Sequence, residues 1–271
     1  MNPISLAPLA SADASPLEQV TAAATAGFDA MGLPLAPAQP QYDLIANCAM
    51  RHEVRSALRD TGIRLLETGN IRLGVHDDPR KFVPLLDVGR ELGAEYVLIT
   101  GTDAVERPFA FDNFAQLCML ATSAGLRPMI EFVSYRSIAS LDQARAIIEH
   151  SGSVDAGICV DPLHLSRSGS SPAALRALDP RYFPYAHFCD ARVRVLDVAT
   201  TKALHEESVH DRLYPGEGAL WLDEFIDALP PRIPLNVEAP HRGHANDSPL
   251  VRAQAALAAT RRFLARHYAA A

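Results

Sequence analysis

The sequence has 271 residues, of which 48% are hydrophobic and 21% charged, so its composition is that of a folded globular protein. The formal net charge of -7 argues against a nucleic-acid-binding protein, because such proteins usually carry a basic surface. No apolar run reaches the ~18 residues of a membrane span, and residues 1–15 hold no Lys or Arg to begin a signal peptide. The four cysteines form no CxxC pair, which favours a cytoplasmic protein.

Short apolar runs alternate with amphipathic stretches along the chain. Ser15-Pro16-Leu17-Glu18 has the pattern of a capping box and predicts the start of the first helix, which ends at Gly27. Strands are predicted over 4–9, 28–33, 63–67, 96–100, 128–133, 156–160, 185–189 and 233–237. The remaining helices are predicted over 42–60, 79–92, 111–124, 141–150, 172–178, 221–228 and 249–268.

Alternating strands and helices are typical of a parallel sheet, and apolar strands of this kind are buried on both faces. The chain length suits a (β/α)8 barrel, which typically takes about 250 residues. The alternative, an open doubly wound sheet, would need a glycine-rich phosphate loop after the first strand, and residues 9–16 contain no glycine. We therefore predict an α/β protein in which residues 1–271 form one domain, a single TIM barrel.

The last four predicted strands each carry an ionisable side chain at or near the C-terminal end. These side chains are Glu131, Asp161, His187 and Glu238. In a TIM barrel, these strand ends meet at one mouth, where the active site lies. Isolated charges next to such apolar runs are costly, but four of them can be compensated by one cation. Three carboxylates and an imidazole favour Mn²⁺ or Mg²⁺, with Co²⁺ or Zn²⁺ as alternatives. The competing interpretation is four unrelated polar residues that bond to local backbone.

These residues resemble the metal-binding motif of the xylose isomerase-like TIM-barrel superfamily, which includes sugar phosphate isomerases and epimerases and is related to endonuclease IV. The resemblance implies that Glu131, Asp161, His187 and Glu238 bind a divalent metal. The run Asp161-Pro162-Leu163-His164 matches the family's D-x-x-H, which implies that His164 contacts the substrate. The segment Arg212-Leu213-Tyr214-Pro215-Gly216-Glu217-Gly218 is similar to an R-x-x-P-G-x-G loop that also occurs in bacterial 3-dehydroshikimate dehydratases.

Further side chains are candidates for substrate contacts. Glu67 ends the third strand and either meets a substrate hydroxyl or pairs with Arg64 or Arg72. Arg192 or Arg194 follows the seventh strand and either binds a substrate oxygen as a bidentate donor or is a solvated loop residue. The same two interpretations apply to Arg136 and Arg167. We expect the long segment between His187 and Trp221 to fold over or beside the pocket and to bring Arg212 and the Pro-Gly-Glu-Gly turn near the site.

These observations favour a metal-dependent isomerase or epimerase of a small sugar, keto-polyol or hydroxy-carbonyl compound, which would act through an enediolate. Glu131 and Glu238 are the expected proton-transfer groups. A dehydratase of the 3-dehydroshikimate or inosose type is the main alternative, and a non-catalytic barrel is a further one. An AP endonuclease is disfavoured because the chain lacks the D-x-H motif of that branch. The expected partner is a small carbohydrate-like molecule and neither nucleic acid nor a membrane. A homo-oligomer is compatible with the sequence.

Overall fold

Eight strands form one sheet at the centre of the protein, and helices connect them. The computed structural model describes residues 1–103, 111–193 and 200–270. The strands are β1 (Ile4–Leu6), β2 (Ala30–Pro34), β3 (Arg64–Leu73), β4 (Tyr96–Gly101), β5 (Arg127–Glu131), β6 (Gly157–Cys159), β7 (Ala186–Phe188) and β8 (Leu235–Val237). The α-helices of the described residues are α1 (Pro16–Ala26), α2 (Cys48–Thr61), α3 (Val83–Leu92), α4 (Phe111–Ser123), α5 (Leu141–Ser151), α6 (Pro162–Arg167), α7 (Pro172–Leu175), α8 (Thr201–His210), α9 (Leu222–Ala228) and α10 (Pro249–Ala270).

The sheet closes into a barrel. The strand order is β6-β5-β4-β3-β2-β1-β8-β7, and every pair of neighbours is parallel. The two remaining edges meet through a parallel bridge between Val160 and Ala186, and the His187 N–H donates to the Val160 carbonyl at 3.0 Å. The predicted (β/α)8 TIM barrel is therefore confirmed.

Local sequence signals explain where several elements begin and end. The predicted capping box of α1 is present: the Ser15 hydroxyl accepts from the Glu18 N–H, and the Glu18 carboxylate accepts from the Ser15 N–H at 2.8 Å. Gly27 ends this helix with φ 91°, a left-handed conformation that glycine adopts without steric cost. These signals place the helix between β1 and β2 as expected.

The hydrophobic core has two parts, one inside the barrel and one between the strands and the helices. The outer cluster is the larger and includes most of the buried aliphatic side chains of the strands and helices. The inner cluster consists of Ala30, Leu66, Tyr96, Leu98, Met129, Cys159 and Tyr185. This inner cluster fills the barrel below the C-terminal ends of the strands, so the barrel is packed and does not form a pore.

The structure differs from the predicted secondary structure in several places. Two helices were not predicted: α6, directly after β6, and α8 over residues 201–210, which Thr200 caps by accepting from the Ala203 N–H. Helical structure was predicted from residue 42, but α2 begins only after its N-cap Asn47, since Asp43 holds the preceding turn by accepting from Ile45 and Ala46. Within the described ranges, no helix combines the length and the hydropathy needed to cross a bilayer.

Candidate metal and active site

The four predicted ligands lie together at the C-terminal mouth of the barrel. Their side-chain donor atoms are all within 4.8 Å of one another, and all four residues are buried. His187 Nδ1 is 3.0 Å from Glu131 Oε1, 3.3 Å from Glu238 Oε2 and 4.0 Å from Asp161 Oδ2. Each residue comes from, or directly follows, a different strand of the β5–β8 half of the barrel, which explains how residues so far apart in sequence meet.

The sequence after β6 holds Asp161 in a fixed orientation. Asp161 is the N-cap of α6, and its Oδ1 accepts from the N–H groups of Leu163 at 2.7 Å and His164 at 3.1 Å. Pro162 occupies the first helical position, where the missing N–H costs nothing. Because Oδ1 is engaged by backbone, Oδ2 is the oxygen that faces the cluster.

His187 is held between two groups of acids. Its Nδ1 faces Glu131 and Glu238, and its Nε2 is 3.3 Å from both oxygens of Glu67. Glu67 is itself fixed by Tyr185, whose hydroxyl donates to Oε2 at 2.5 Å. Burial alone would lower the pKa of His187, but the carboxylates of Glu238, Glu67 and Glu131 hold that pKa well above its usual value. Glu67 therefore orients the ring and fixes which nitrogen faces the predicted ligands.

Arg212 contacts two of the predicted metal ligands directly. Its guanidinium is 1% exposed, its Nη1 donates to Asp161 Oδ2, and its Nη2 is 3.0 Å from Glu238 Oε2. The carbonyl of Ser208 accepts from its Nε at 2.7 Å, which ties α8 to the cluster. Burial raises the pKa of Glu238, but His187 and Arg212 outweigh this effect and lower it below its usual value. Arg212 thus keeps two of the predicted ligands oriented and ionised.

The proline–glycine turn that follows Arg212 wraps around the buried carboxylate of Asp190. One oxygen of Asp190 accepts from the N–H groups of Gly216 at 3.1 Å and Gly218 at 2.9 Å, and the other accepts from two further amides. A Cβ on Gly218 would lie 2.4 Å from the Ala191 carbonyl oxygen, so only glycine fits there. Asp190 also bridges to Leu213, which places the preceding Arg212 at the site.

A cavity of about 320 Å³ opens above the cluster. Glu67, Glu131, His164, Arg212 and Glu238 are among its lining residues. The His164 ring is near two hydroxyls, with Nδ1 3.4 Å from Ser134 Oγ and Nε2 3.4 Å from Ser208 Oγ. Burial lowers the pKa of His164 to about 4, so the ring is neutral at pH 7 and carries one N–H donor.

The weaker candidates from the sequence have different positions. Glu67 lines the cavity but pairs with neither Arg64 nor Arg72, which bind Glu95 and Asp103 instead. Arg192 lies at the surface on Asp211, at 2.9 Å, and is absent from the cavity lining of the described residues. Arg194 lies outside the described residues.

Arg167 and Arg136 also differ from one another. Arg167 is paired with Glu207 through two contacts of 2.7 Å and 3.0 Å, which join α6 to α8. Arg136 lines the cavity. The geometry therefore brings Glu67, His164, Arg212 and Arg136 to the cavity, and it places Arg192 and Arg167 in surface or inter-helix ion pairs.

Several residues of the site were missed by the sequence analysis. Tyr185 directly precedes β7 in an apolar run and resembles a core residue, so its contact with Glu67 left no local signal. Ser208 is the one buried residue of α8, and it meets both His164 and Arg212. Asp190 did have a signal: an acid directly after β7, followed by a glycine turn that needs an acceptor for its amides.

The donor atoms fit a single divalent cation. Atoms that bind one ion at about 2.0–2.3 Å lie about 3–4 Å from each other, which matches the separations around His187 Nδ1. The four buried carboxylates around His187, Glu67 included, outnumber Arg212, whose guanidinium pairs with two of them, so a cation would balance the excess negative charge.

A second group, Glu67, Cys159 and His187, also has donor atoms within 4.8 Å of one another. This group supplies one carboxylate, one thiol and one imidazole, whereas the first group supplies three carboxylates and one imidazole. Carboxylate oxygens are the donors that hard divalent cations such as Mn²⁺ and Mg²⁺ prefer. The donor chemistry therefore favours the group with three carboxylates.

Fold and site together define a class: TIM barrels that carry a buried carboxylate–histidine cluster at the mouth. Residues 20–266 match the sequence model of the family described as xylose isomerase-like TIM barrel. The chain therefore belongs to this family, as its resemblance predicted.

Curated relatives are similar to about half of the chain. Inosose isomerase from Bacillus subtilis (strain 168) is 24% identical over 158 residues, which are 55% of this chain and 54% of the relative. The chain thus spans about half the length of the curated relatives it matches.

Solved structures share the fold over nearly the whole chain. The IolI protein with a bound zinc atom has a TM-score of 0.84 at 17% identity and covers 98% of this chain and 99% of its own. The probable 3-DHS dehydratase of Bacillus anthracis has a TM-score of 0.71 at 16% identity, with 94% and 98% covered. D-Psicose 3-epimerase with D-tagatose from Clostridium cellulolyticum H10 has a TM-score of 0.71 at 16% identity, with 97% and 99% covered.

Proposed function

We propose that this protein is a divalent-metal-dependent isomerase or epimerase of a small sugar, keto-polyol or related hydroxy-carbonyl compound. The observation that carries the proposal is the buried cluster of Glu131, Asp161, His187 and Glu238 below a cavity of small-molecule size. Similarity to inosose isomerase and to D-psicose 3-epimerase supports this choice of reaction.

The ion that we propose for the cluster is Mn²⁺ or Mg²⁺, because the donor set is rich in carboxylate oxygen. Zn²⁺ and Co²⁺ are the alternatives, and the zinc atom in the IolI structure supports a divalent ion in general. Such an ion, when bound, polarises a substrate carbonyl and stabilises negative charge next to it.

Glu131 and Glu238 are the proposed proton-transfer groups. Both line the cavity, and they approach His187 Nδ1 from different strands, at 3.0 Å and 3.3 Å. A substrate that binds between them has one carboxylate on either side of its reactive carbon. One glutamate can then remove the α-proton while the other returns a proton to the same carbon or to the next.

His164 is the proposed donor to the oxygen that gains negative charge. Its ring is buried, neutral and in the cavity wall, so it can offer one N–H without placing another charge beside Arg212. Donors that are fixed before the reaction stabilise such an oxygen better than water, which must reorient.

A metal-dependent dehydratase is the second candidate. It begins with the same proton removal next to a carbonyl and then expels a β-hydroxyl with help from an acid. Structural likeness to the probable 3-DHS dehydratase of Bacillus anthracis favours this candidate over a non-catalytic barrel.

One screen separates these functions. Purified protein is analysed for bound metal and then incubated in deuterated water with ketoses, inososes and 3-dehydroshikimate. An isomerase or epimerase incorporates deuterium and conserves the elements of the substrate, whereas a dehydratase releases one water. Chelation should stop either reaction, and added Mn²⁺ should restore it. A protein that retains no metal and exchanges no substrate hydrogen would contradict the proposal.

A further inference from the structure

One wall of the cavity carries a buried positive charge that the proposed reaction does not use. Arg136 lies in the loop after β5, is 7% exposed and lines the cavity. Its Nη1 donates to the Thr100 hydroxyl at 2.8 Å. Its buried Nε is 3.1 Å from an oxygen of Asp103, yet it has no acceptor with hydrogen-bonding geometry in the described part of the chain.

A second arginine adds to the positive charge of this wall. Arg72 on β3 also lines the cavity, and its Nη1 is 3.0 Å from the other oxygen of Asp103. The carboxylate of Asp103 is 60% exposed, so solvent screens its ion pairs with Arg72 and Arg136. Two guanidinium groups thus share one exposed carboxylate, and the described part of this wall has an excess of positive charge.

This wall adjoins the predicted metal ligands. Thr100 on β4 and Glu131 on β5 are direct neighbours in the sheet. The Thr100 hydroxyl accepts from Arg136 and donates to Asn70 Oδ1 at 2.9 Å, so the three side chains form a row across the strand ends. Adjacent strands are about 4.8 Å apart, so one small molecule can contact Glu131 and this row together.

We infer that the substrate carries an anionic group, a carboxylate or a phosphate, which Arg136 binds with the support of Arg72. A buried guanidinium is stabilised by an oxyanion that pairs with it and accepts its free N–H groups. The hydroxyls of a neutral sugar can accept hydrogen bonds but supply no counter-charge. The inference rests on the proposed function only in treating this cavity as the substrate site.

Three ketoses that share one carbon skeleton and differ only at carbon six provide the test. They are D-fructose, which is neutral, D-fructuronate, which has a carboxylate, and D-fructose 6-phosphate. Titration calorimetry on the Mn²⁺-loaded protein measures each Kd. We expect at least one charged ketose to bind about 10-fold or more tightly than D-fructose, the range of a charge-assisted hydrogen bond. Which of the two binds more tightly distinguishes a carboxylate from a phosphate.

Variants then test whether Arg136 and Arg72 cause the tighter binding of a charged ketose. Arg136→Gln should abolish the preference, so that the charged ketoses bind this variant no more tightly than D-fructose does, and Arg136→Lys should retain part of the preference. Arg72→Gln removes a half-exposed group, so it tests the same charge with little risk to folding, and we expect a smaller loss. Arg64→Gln is the matched control, because Arg64 lies at the other end of β3 and pairs with Glu95.

Two results would overturn the inference: equal affinity for all three ketoses, or a loss in Arg136→Gln that is the same for charged and neutral compounds. The deuterium-exchange experiment tests the proposed reaction independently of the anion site. If a neutral ketose exchanges and charge has no effect, the proposed function stands and the anion site does not. If charged ketoses bind more tightly through Arg136 but nothing exchanges, the anion site stands and the proposed reaction does not.

Discussion

The two halves of the barrel mouth differ in how strongly their side chains are constrained. In the β5–β8 half, the predicted ligands are at most 8% exposed, and Arg212 and Glu67 hold their donor atoms. In the β1–β4 half, the cavity is lined largely by small or apolar residues, among them Pro8, Leu9, Pro34, Ala36 and Pro37. Reactive groups must be held in place, whereas a wall that selects a substrate can vary. Glu67 belongs to β3 but contacts His187. We therefore expect substitutions of the predicted ligands and their contacts to affect metal binding, and substitutions in the apolar lining of the β1–β4 half to affect substrate affinity.

Removal of a predicted ligand should have the largest effect. Asp161→Asn keeps an oxygen for the N-cap of α6 but removes the charge that faces Arg212 and the cluster. We expect metal affinity to fall by more than the roughly 10- to 100-fold that loss of an outer partner costs. Metal content after gel filtration and activity with added Mn²⁺ measure this loss. A variant that retains one ion per chain would exclude Asp161 as a ligand.

Glu238→Gln should affect turnover more than metal binding. The amide keeps the size and one donor oxygen, but it cannot accept the substrate proton. General acid–base groups contribute about 10²–10⁴-fold, so we expect kcat to fall within that range while KM changes little. Metal content should fall less than in Asp161→Asn. Near-normal turnover with metal bound would show that Glu238 is only a ligand.

An outer contact of the cluster should have an intermediate effect. Glu67→Gln removes the carboxylate that faces His187 Nε2 and accepts from Tyr185. We expect the Kd for Mn²⁺ to rise about 10- to 100-fold, and Tyr185→Phe to cause a smaller rise in the same direction. If Glu67→Gln instead raises KM and leaves the Kd for Mn²⁺ unchanged, Glu67 contacts the substrate, as the sequence analysis first suggested.

The four candidate ligands of the β5–β8 half could be singled out in the sequence for a physical reason, and the structure brings them together. Ionisable residues that end apolar strands stand out, and Glu131, Asp161, His187 and Glu238 each interrupt such a run. Contacts between distant segments left weaker signals. Tyr185 cannot be distinguished from core by pattern, and its partner Glu67 is separated from it by much of the chain. The helix α8 was missed because only Ser208 is buried on it, so no apolar periodicity marks it.

In the β1–β4 half, the sequence predicted strands, helices and one candidate substrate contact, Glu67, but not the apolar residues that line the cavity. Side chains such as Leu9 and Pro34 are ordinary hydrophobic residues, and their role follows only from the cavity they line. In the other half, Arg136 follows β5 and was one of several loop arginines for which the sequence allowed either a substrate contact or a solvated position. Its burial and its position beside Thr100 distinguish it from Arg192, and both depend on tertiary structure.

The smallest effect should come from the apolar half, where Leu9→Ala tests whether it selects the substrate. Leu9 lies in the short 3-10 helix Pro8–Ser11 after β1, is partly exposed and lines the cavity. Because Leu9 is partly exposed, we expect the lost contact to equal about one to two buried CH₂ groups at about 0.8 kcal/mol each, so KM should change by about 4- to 15-fold, in a direction that depends on substrate size. Metal content and kcat should equal those of the protein without the substitution, because no predicted metal ligand bonds to Leu9. Kinetics with two substrates of different size, together with metal analysis, measure both expectations. Loss of metal from Leu9→Ala would show that the two halves of the mouth are coupled, and the separation between chemistry and selection would then be wrong.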